Sequence, residues 1–112
     1  MTNSASGPSP TPLEKARIDH FFDCQFSIEA VQKFKPAPET YQYVARELGV
    51  ATADLRMVAC HLWDIIGAQA AGCIGVFVTR PNNALLPAAG LPNPDIVVGG
   101  LGELANQLAA PS

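Results

Sequence analysis

The sequence has only three cysteines, Cys24, Cys60 and Cys73, and no CxxC pair among them. An odd count without that spacing supports neither a disulfide framework nor a zinc knuckle, and reduced intracellular thiols are the reading that remains. There is no breaker-free apolar run of membrane-spanning length. The opening "MTNSASGPSPTP" also lacks the basic start and apolar stretch of a secretory leader. The chain is therefore expected to be cytoplasmic, with no membrane partner. Charge is sparse as well, with seven Lys and Arg against ten Asp and Glu. The basic residues are scattered as Lys15, Arg17, Lys33, Lys35, Arg46, Arg56 and Arg80, so no stripe exists to neutralise a run of phosphates, and nucleic acid is excluded as a partner.

What the chain does have is enough apolar material for one modest core. Its 112 residues, 48% of them hydrophobic, suit a single globular α/β domain with about a third of the unfolded surface left in water. No internal repeat is present. Proline and glycine punctuate the order of elements. Residues 4–12 are rich in Ser, Pro and Gly and form either a flexible tail or a loop over a site. In "PLEKARIDHFF", Pro12 opens a helix, and Leu13, Ala16, Ile18, Phe21 and Phe22 recur near helical spacing, which predicts a short amphipathic helix with one apolar face turned inward. "FSIEAV", residues 26–31, is a short strand or the extended approach to a loop.

The next segments are clearer. "KPAPETYQYVARELGV" predicts a helix from about Glu39 to Leu48, with Tyr41, Val44, Ala45 and Leu48 at helical spacing before Gly49. "LRMVAC" is a compact apolar run of strand length. "DIIGAQAAG" follows as a helix whose small residues allow close packing on a sheet, with Gly72 as its stop. "IGVFVT" and "DIVVGG" read as further strands and "LGELANQLAA" as a closing helix. This alternation predicts a parallel sheet with helices on its faces. Such sheets place their sites at the carboxyl ends of the strands, and the turn after "LRMVAC" lies at one.

The side chains of that turn admit two readings each. Asp64 sits near a helix start, where an acid caps backbone N–H groups and complements the dipole, or serves a site, or does both. His61 and Asp64 are three apart, yet two ligands in a chain otherwise poor in clustered ligands do not make a metal site. Cys60 reads as a small buried hydrophobe, and Trp63 as a packing residue. Lys35 is a solvated lysine or, in a site, a compact positive charge holding carboxylates. Tyr41 is a core-facing aromatic with a satisfied hydroxyl or a catalytic group.

"KFKPAPETYQYVARELGV" followed by "MVACHLWDIIGAQAAGCIGVFVTR" resembles the second half of the catalytic core of the haloacid dehalogenase superfamily, and most closely its 2-haloacid dehalogenases. The pairing of KPxPxxY with WDxxGAxxxG at this separation is specific. "TNS" and "IDHFFDCQFSIEAV" extend the likeness over nearly the whole chain. The resemblance implies a Rossmann-like α/β parallel sheet with flanking helices, incomplete because the first core strand and the cap are absent, with residues 1–112 as the C-terminal part of the core.

The resemblance also assigns roles. Thr2 and Asn3 match the strand-end hydroxyl and amide that hold the substrate carboxylate or the nucleophile. Lys35 matches the lysine that balances the nucleophile's charge, and Tyr41 a tyrosine bordering the same site. Asp64 matches the acid of the last core motif, with His61 lining the site and Trp63 preceding the acid. Lys35, Tyr41 and Asp64 are thus the expected catalytic residues, and Thr2, Asn3, His61 and Trp63 the substrate-binding ones. Phosphatases of the superfamily resemble GDxxxD here, whereas this chain has Ala59 and Cys60 in place of the glycine and the first acid. Loss of a hard oxygen ligand weakens a magnesium site, so no metal and no cofactor are expected, and dehalogenation ranks above phosphate hydrolysis.

The superfamily's nucleophilic aspartate has no counterpart. Asp19, Asp23, Asp54 and Asp95 lie near a helix end, a turn and the start of a late strand. The expectation is a 2-haloacid dehalogenase lineage acting on a small-molecule 2-haloacid, with this polypeptide inactive alone. The alternative is an interaction module or half-enzyme that binds a complementary N-terminal half, or a homodimer, through an exposed sheet edge.

Overall fold

The computed structural model describes residues 1–4, 7, 10–81 and 92–109. Three strands, β1 (Arg56–Ala59), β2 (Ile74–Val78) and β3 (Ile96–Val98), form a parallel sheet in the order β1-β2-β3. Val58 pairs with Val76, and Val76 with Ile96. As the middle strand, β2 is covered on both faces, which is why it is a continuous apolar run while β1 alternates in exposure.

Among the described residues the α-helices are α1 (Pro12–Lys15), α2 (Pro38–Leu48), α3 (Leu62–Ala70) and α4 (Leu101–Ala109), of which α3 and α4 pack on the sheet and α2 packs on α3. On one face Val76, Val78 and Val98 pack with Leu104 of α4. A second cluster joins Tyr41 of α2, Ala68 of α3 and Cys73, with Leu55 and Met57 packed against it. Helix α2 starts with Pro38 in its first turn and ends at Gly49, whose φ of 71° places it in the left-handed region that glycine adopts without steric cost. Gly72, at φ 95°, follows α3, and a Cβ there would meet Thr52 Oγ1 at 2.8 Å. Asp95 ties the opposite end of the sheet together. Its Oδ2 accepts the Gly75 N–H at 2.7 Å and Gln69 Nε2 at 3.1 Å, and its own N–H donates to the Gly75 carbonyl.

The expected strands and the three later helices are where the periodicity placed them. The first helix is not. Thr11 and Glu14 form a reciprocal capping box, but the helix runs only from Pro12 to Lys15, and Arg17 turns the chain at φ 58°. A single turn cannot present an apolar stripe, so the predicted inward face does not form, and Phe21 stays 75% exposed. "FSIEAV" is no full strand either. Ser27 makes one parallel bridge with Thr2, and a 3-10 turn from Ile28 to Ala30 follows. Within the expected tail, Ser4 is held by Ser27 Oγ, which donates to its carbonyl at 2.6 Å, while residues 5, 6, 8 and 9 lie outside the described residues. Among the described residues no helix is long and apolar enough to cross a membrane.

Candidate active site

The carboxyl end of β1 leads through Cys60 and His61 into α3, which places Asp64 in that helix's first turn. Its carboxylate is buried, and neither oxygen caps the helix. Tyr41 donates its hydroxyl to Asp64 Oδ1 at 2.6 Å, and the Lys35 ammonium donates to Oδ2 at 2.8 Å. The N-cap residue is His61, without a side-chain cap bond, so Asp64 does not cap the helix through its side chain. A buried carboxylate survives here because a cation, a hydroxyl and the positive end of a helix dipole all face it.

Lys35 comes from the segment just before α2, joined to Pro36 by a cis peptide bond. It is not the solvated lysine of the bland reading, since its side chain is only 11% exposed. Its backbone N–H donates to Asn3 Oδ1 at 2.9 Å, so the strand-end amide identified in the sequence holds the lysine in place. Thr2 is less directly involved. Its backbone pairs on both sides with Phe26 and Ile28, and its hydroxyl oxygen accepts the Ser4 N–H at 3.1 Å.

Tyr41 is fully buried and reaches across from α2. Burial, first, and then its hydrogen bond to Asp64 and that group's negative charge hold its phenol far above the ordinary range. Its hydroxyl keeps its proton and donates a hydrogen bond to Asp64 Oδ1.

Trp63 does not pack into the core; its side of the pair is open. The Lys35 ammonium lies 5.8 Å from its ring centroid, within cation–π range, and the His61 ring stacks on it at 6.4 Å and 29°. His61 is exposed. Cys60 is half-buried against the Val76, Val78, Val98 and Leu104 cluster, with its Sγ 3.8 Å from His61 Nδ1. Among the described residues no group of three or more His, Cys, Asp and Glu side chains is arranged to hold a metal.

The fold thus brings Asn3, Lys35, Tyr41, Asp64, Trp63 and His61 into one connected group, with Thr2 attached through its neighbour. Sequence reasoning passed over Gly67. It stood there as the first glycine of WDxxGAxxxG and as one of the small residues in "DIIGAQAAG", with no role of its own, although a Cβ at this position would run into Pro36 and the Tyr41 hydroxyl.

Comparison with known proteins gives a consistent neighbourhood. The sequence profile of haloacid dehalogenase-like hydrolases matches residues 1–78. A phosphoglycolate phosphatase of Neisseria gonorrhoeae is 31% identical over 98 residues, which is 86% of this chain and 42% of that protein. The (S)-2-haloacid dehalogenase 4A of Burkholderia cepacia is 30% identical over 71 residues, 63% of this chain and 31% of its own length. In three dimensions the L-2-haloacid dehalogenase of Xanthobacter autotrophicus, solved with chloropropionic acid covalently bound, superposes with a TM-score of 0.78 at 25% identity, covering 89% of this chain and 49% of that one. The chain therefore spans less than half the length of these relatives.

Proposed function

The chain belongs to the haloacid dehalogenase-like hydrolases, and from that we propose that residues 1–112 form the C-terminal part of a core domain and supply the charge-balancing half of a 2-haloacid dehalogenase site. The observation that carries this reading is the buried pair of Lys35 and Asp64, braced by Tyr41. An ammonium has three donors. One is committed to Asp64, which leaves Lys35 able to face the carboxylate of a nucleophile and that of a 2-haloalkanoic acid together. Asp64 and Tyr41 then hold the lysine in place, while Asn3 offers its amide N–H donors and Trp63 with His61 the aromatic wall of the substrate's enclosure.

The chemistry is covalent catalysis. A carboxylate attacks the carbon bearing the halogen, halide leaves with the bonding pair, and water hydrolyses the resulting ester to a hydroxy acid. Asp54 and Asp95 are not placed for this. They precede β1 and β3, at the opposite end of the sheet from Asp64, and Asp19 and Asp23 lie in the segment around the 3-10 turn at Asp19–Phe21. In this reading the nucleophile is supplied by a segment other than these 112 residues. The free edge of β1, where Val58 is 39% exposed, is where a complementary strand adds to the sheet.

A phosphatase reading draws on the phosphoglycolate phosphatase relative. The donor set speaks against it. Magnesium takes oxygen ligands, but Cys60 offers a thiol where an acid is needed, and both Asp64 oxygens are engaged by Tyr41 and Lys35. The residues do not fit that ion.

The test assays the chain, mixed with a separately expressed N-terminal half carrying the aspartate motif, against 2-chloropropionate and against phosphoglycolate with magnesium. Halide release without phosphate release is the expected result. Magnesium-dependent phosphate release without halide release would replace this reading with the phosphatase one.

A further inference from the structure

Gly67 lies three residues beyond Asp64 on α3 and is buried. Glycine is among the poorest helix formers, and nothing in the backbone asks for one here: the positive-φ glycines are Gly49 and Gly72. Space does ask for it. A Cβ at this position would lie 2.4 Å from Pro36 Cβ, 2.9 Å from the Tyr41 hydroxyl and 3.1 Å from the Pro36 carbonyl oxygen. Real Cβ atoms do not approach other atoms at the first two of these distances.

Each neighbour belongs to the frame of the ion pair. Pro36 is bonded to Lys35, and the Tyr41 hydroxyl holds Asp64 Oδ1. The helix that carries Asp64 is thus seated directly on the segment that carries Lys35, with no side chain between them. From this juxtaposition we infer that Gly67 is a positioning residue for the Lys35–Asp64 pair, setting the helix-to-loop distance at which ammonium, carboxylate and phenol meet. The inference rests on reading that pair as the working part of the site.

Gly75 supplies an internal control. A Cβ there would be similarly crowded, at 2.5 Å from Ile65 Cγ2 and 3.1 Å from Gln69 Cγ, but those side-chain carbons make no hydrogen bond to the pair, although Ile65 follows Asp64 in the chain. Tight packing of α3 therefore needs glycine in two places, at Gly75 against the sheet and at Gly67 against the Lys35 segment, and only at Gly67 would the added carbon meet Pro36 and the Tyr41 hydroxyl.

The experiment follows the Lys35 ammonium by 1H–15N NMR, since protons held between a buried ammonium and a carboxylate exchange slowly with water. The expected result is that Gly67→Ala, while folded, exchanges these protons at least tenfold faster than the parent, whereas Gly75→Ala leaves their exchange within twofold even where it lowers stability. Unchanged exchange in Gly67→Ala, or an equal change in both variants, overturns the inference. Should Gly67→Ala not fold, Pro36→Gly/Gly67→Ala, which lacks the Pro36 Cβ that the added methyl would meet at 2.4 Å, is read in its place: exchange of the Lys35 protons at least tenfold faster than in Pro36→Gly supports the inference, and exchange within twofold of Pro36→Gly overturns it. Because the signal does not require turnover, failure of halide release would count against the functional reading and leave this result standing on its own.

Discussion

Asp64 shares its two carboxylate oxygens between residues from two different parts of the chain: Lys35, 29 positions earlier, holds Oδ2 at 2.8 Å, and Tyr41, 23 positions earlier, holds Oδ1 at 2.6 Å. With side chains only 11% and 8% exposed, the Lys35 and Asp64 charges are nearly cut off from water. Removing one partner of such a pair strands the other without compensation, a loss far larger than that of a surface ion pair.

Lys35→Met is accordingly expected to lower the unfolding free energy by about 3 kcal/mol, a large fraction of a small domain's total. Urea unfolding at neutral pH checks this. Lys33→Met is the matched control. Its partner Glu39 lies 3.6 Å away with both side chains about half exposed, and the change should cost no more than about 0.5 kcal/mol.

Tyr41→Phe keeps the ring and its packing but removes a hydrogen bond to a charged group, at a cost of about 1.5–3 kcal/mol. The same unfolding measurement reads it. Combined with Lys35→Met, it should show non-additive losses, because both residues act on one carboxylate.

Stability should also fall on the alkaline side. Tyr41 and Cys73 both have folded pKa values raised above the ordinary 10.0 and 9.0, each chiefly by burial. Their contribution is fully present below those ordinary values. It is lost as pH rises past them, since the unfolded chain releases its protons first. Urea midpoints at pH 8 and pH 10.5 should differ, and Tyr41→Phe and Cys73→Ala should each flatten the decline.

Asp95 acts in the opposite sense. The Gly75 N–H, and then the Gln69 amide, hold its carboxyl below the ordinary 3.8. Its contribution is present above that value and is lost as pH falls through the lower folded one. Asp95→Asn should remove that part of the acid-side decline in unfolding midpoints between pH 5 and pH 2.5.

Much of this architecture was legible in residue order. The 3.6 period of Tyr41, Val44, Ala45 and Leu48 marked α2, and the unbroken "IGVFV" marked a strand covered on both faces. The apolar spacing from Leu13 to Phe22 misled because periodicity records only what a helix would present. The chain turns at Arg17, and no core lies there to receive Phe21 and Phe22. Asp64 was ambiguous for a different reason. Capping is decided within one turn, whereas its partners Lys35 and Tyr41 reach it only through tertiary packing. The resemblance to haloacid dehalogenases implied one site for the three residues but did not pair Lys35 or Tyr41 with Asp64. Gly67 was visible as the first glycine of WDxxGAxxxG, but its reason was not, because that lies in Pro36 and Tyr41, which the fold brings to it.

The most direct test of the central claim is chloride release from 2-chloropropionate by this chain, alone and mixed with an N-terminal half carrying the aspartate motif, using the parent and Lys35→Met. The account predicts release only in the mixture, reduced at least a hundredfold by Lys35→Met in a chain that still associates. Release by the chain alone, or undiminished release by the Lys35→Met mixture, would contradict it.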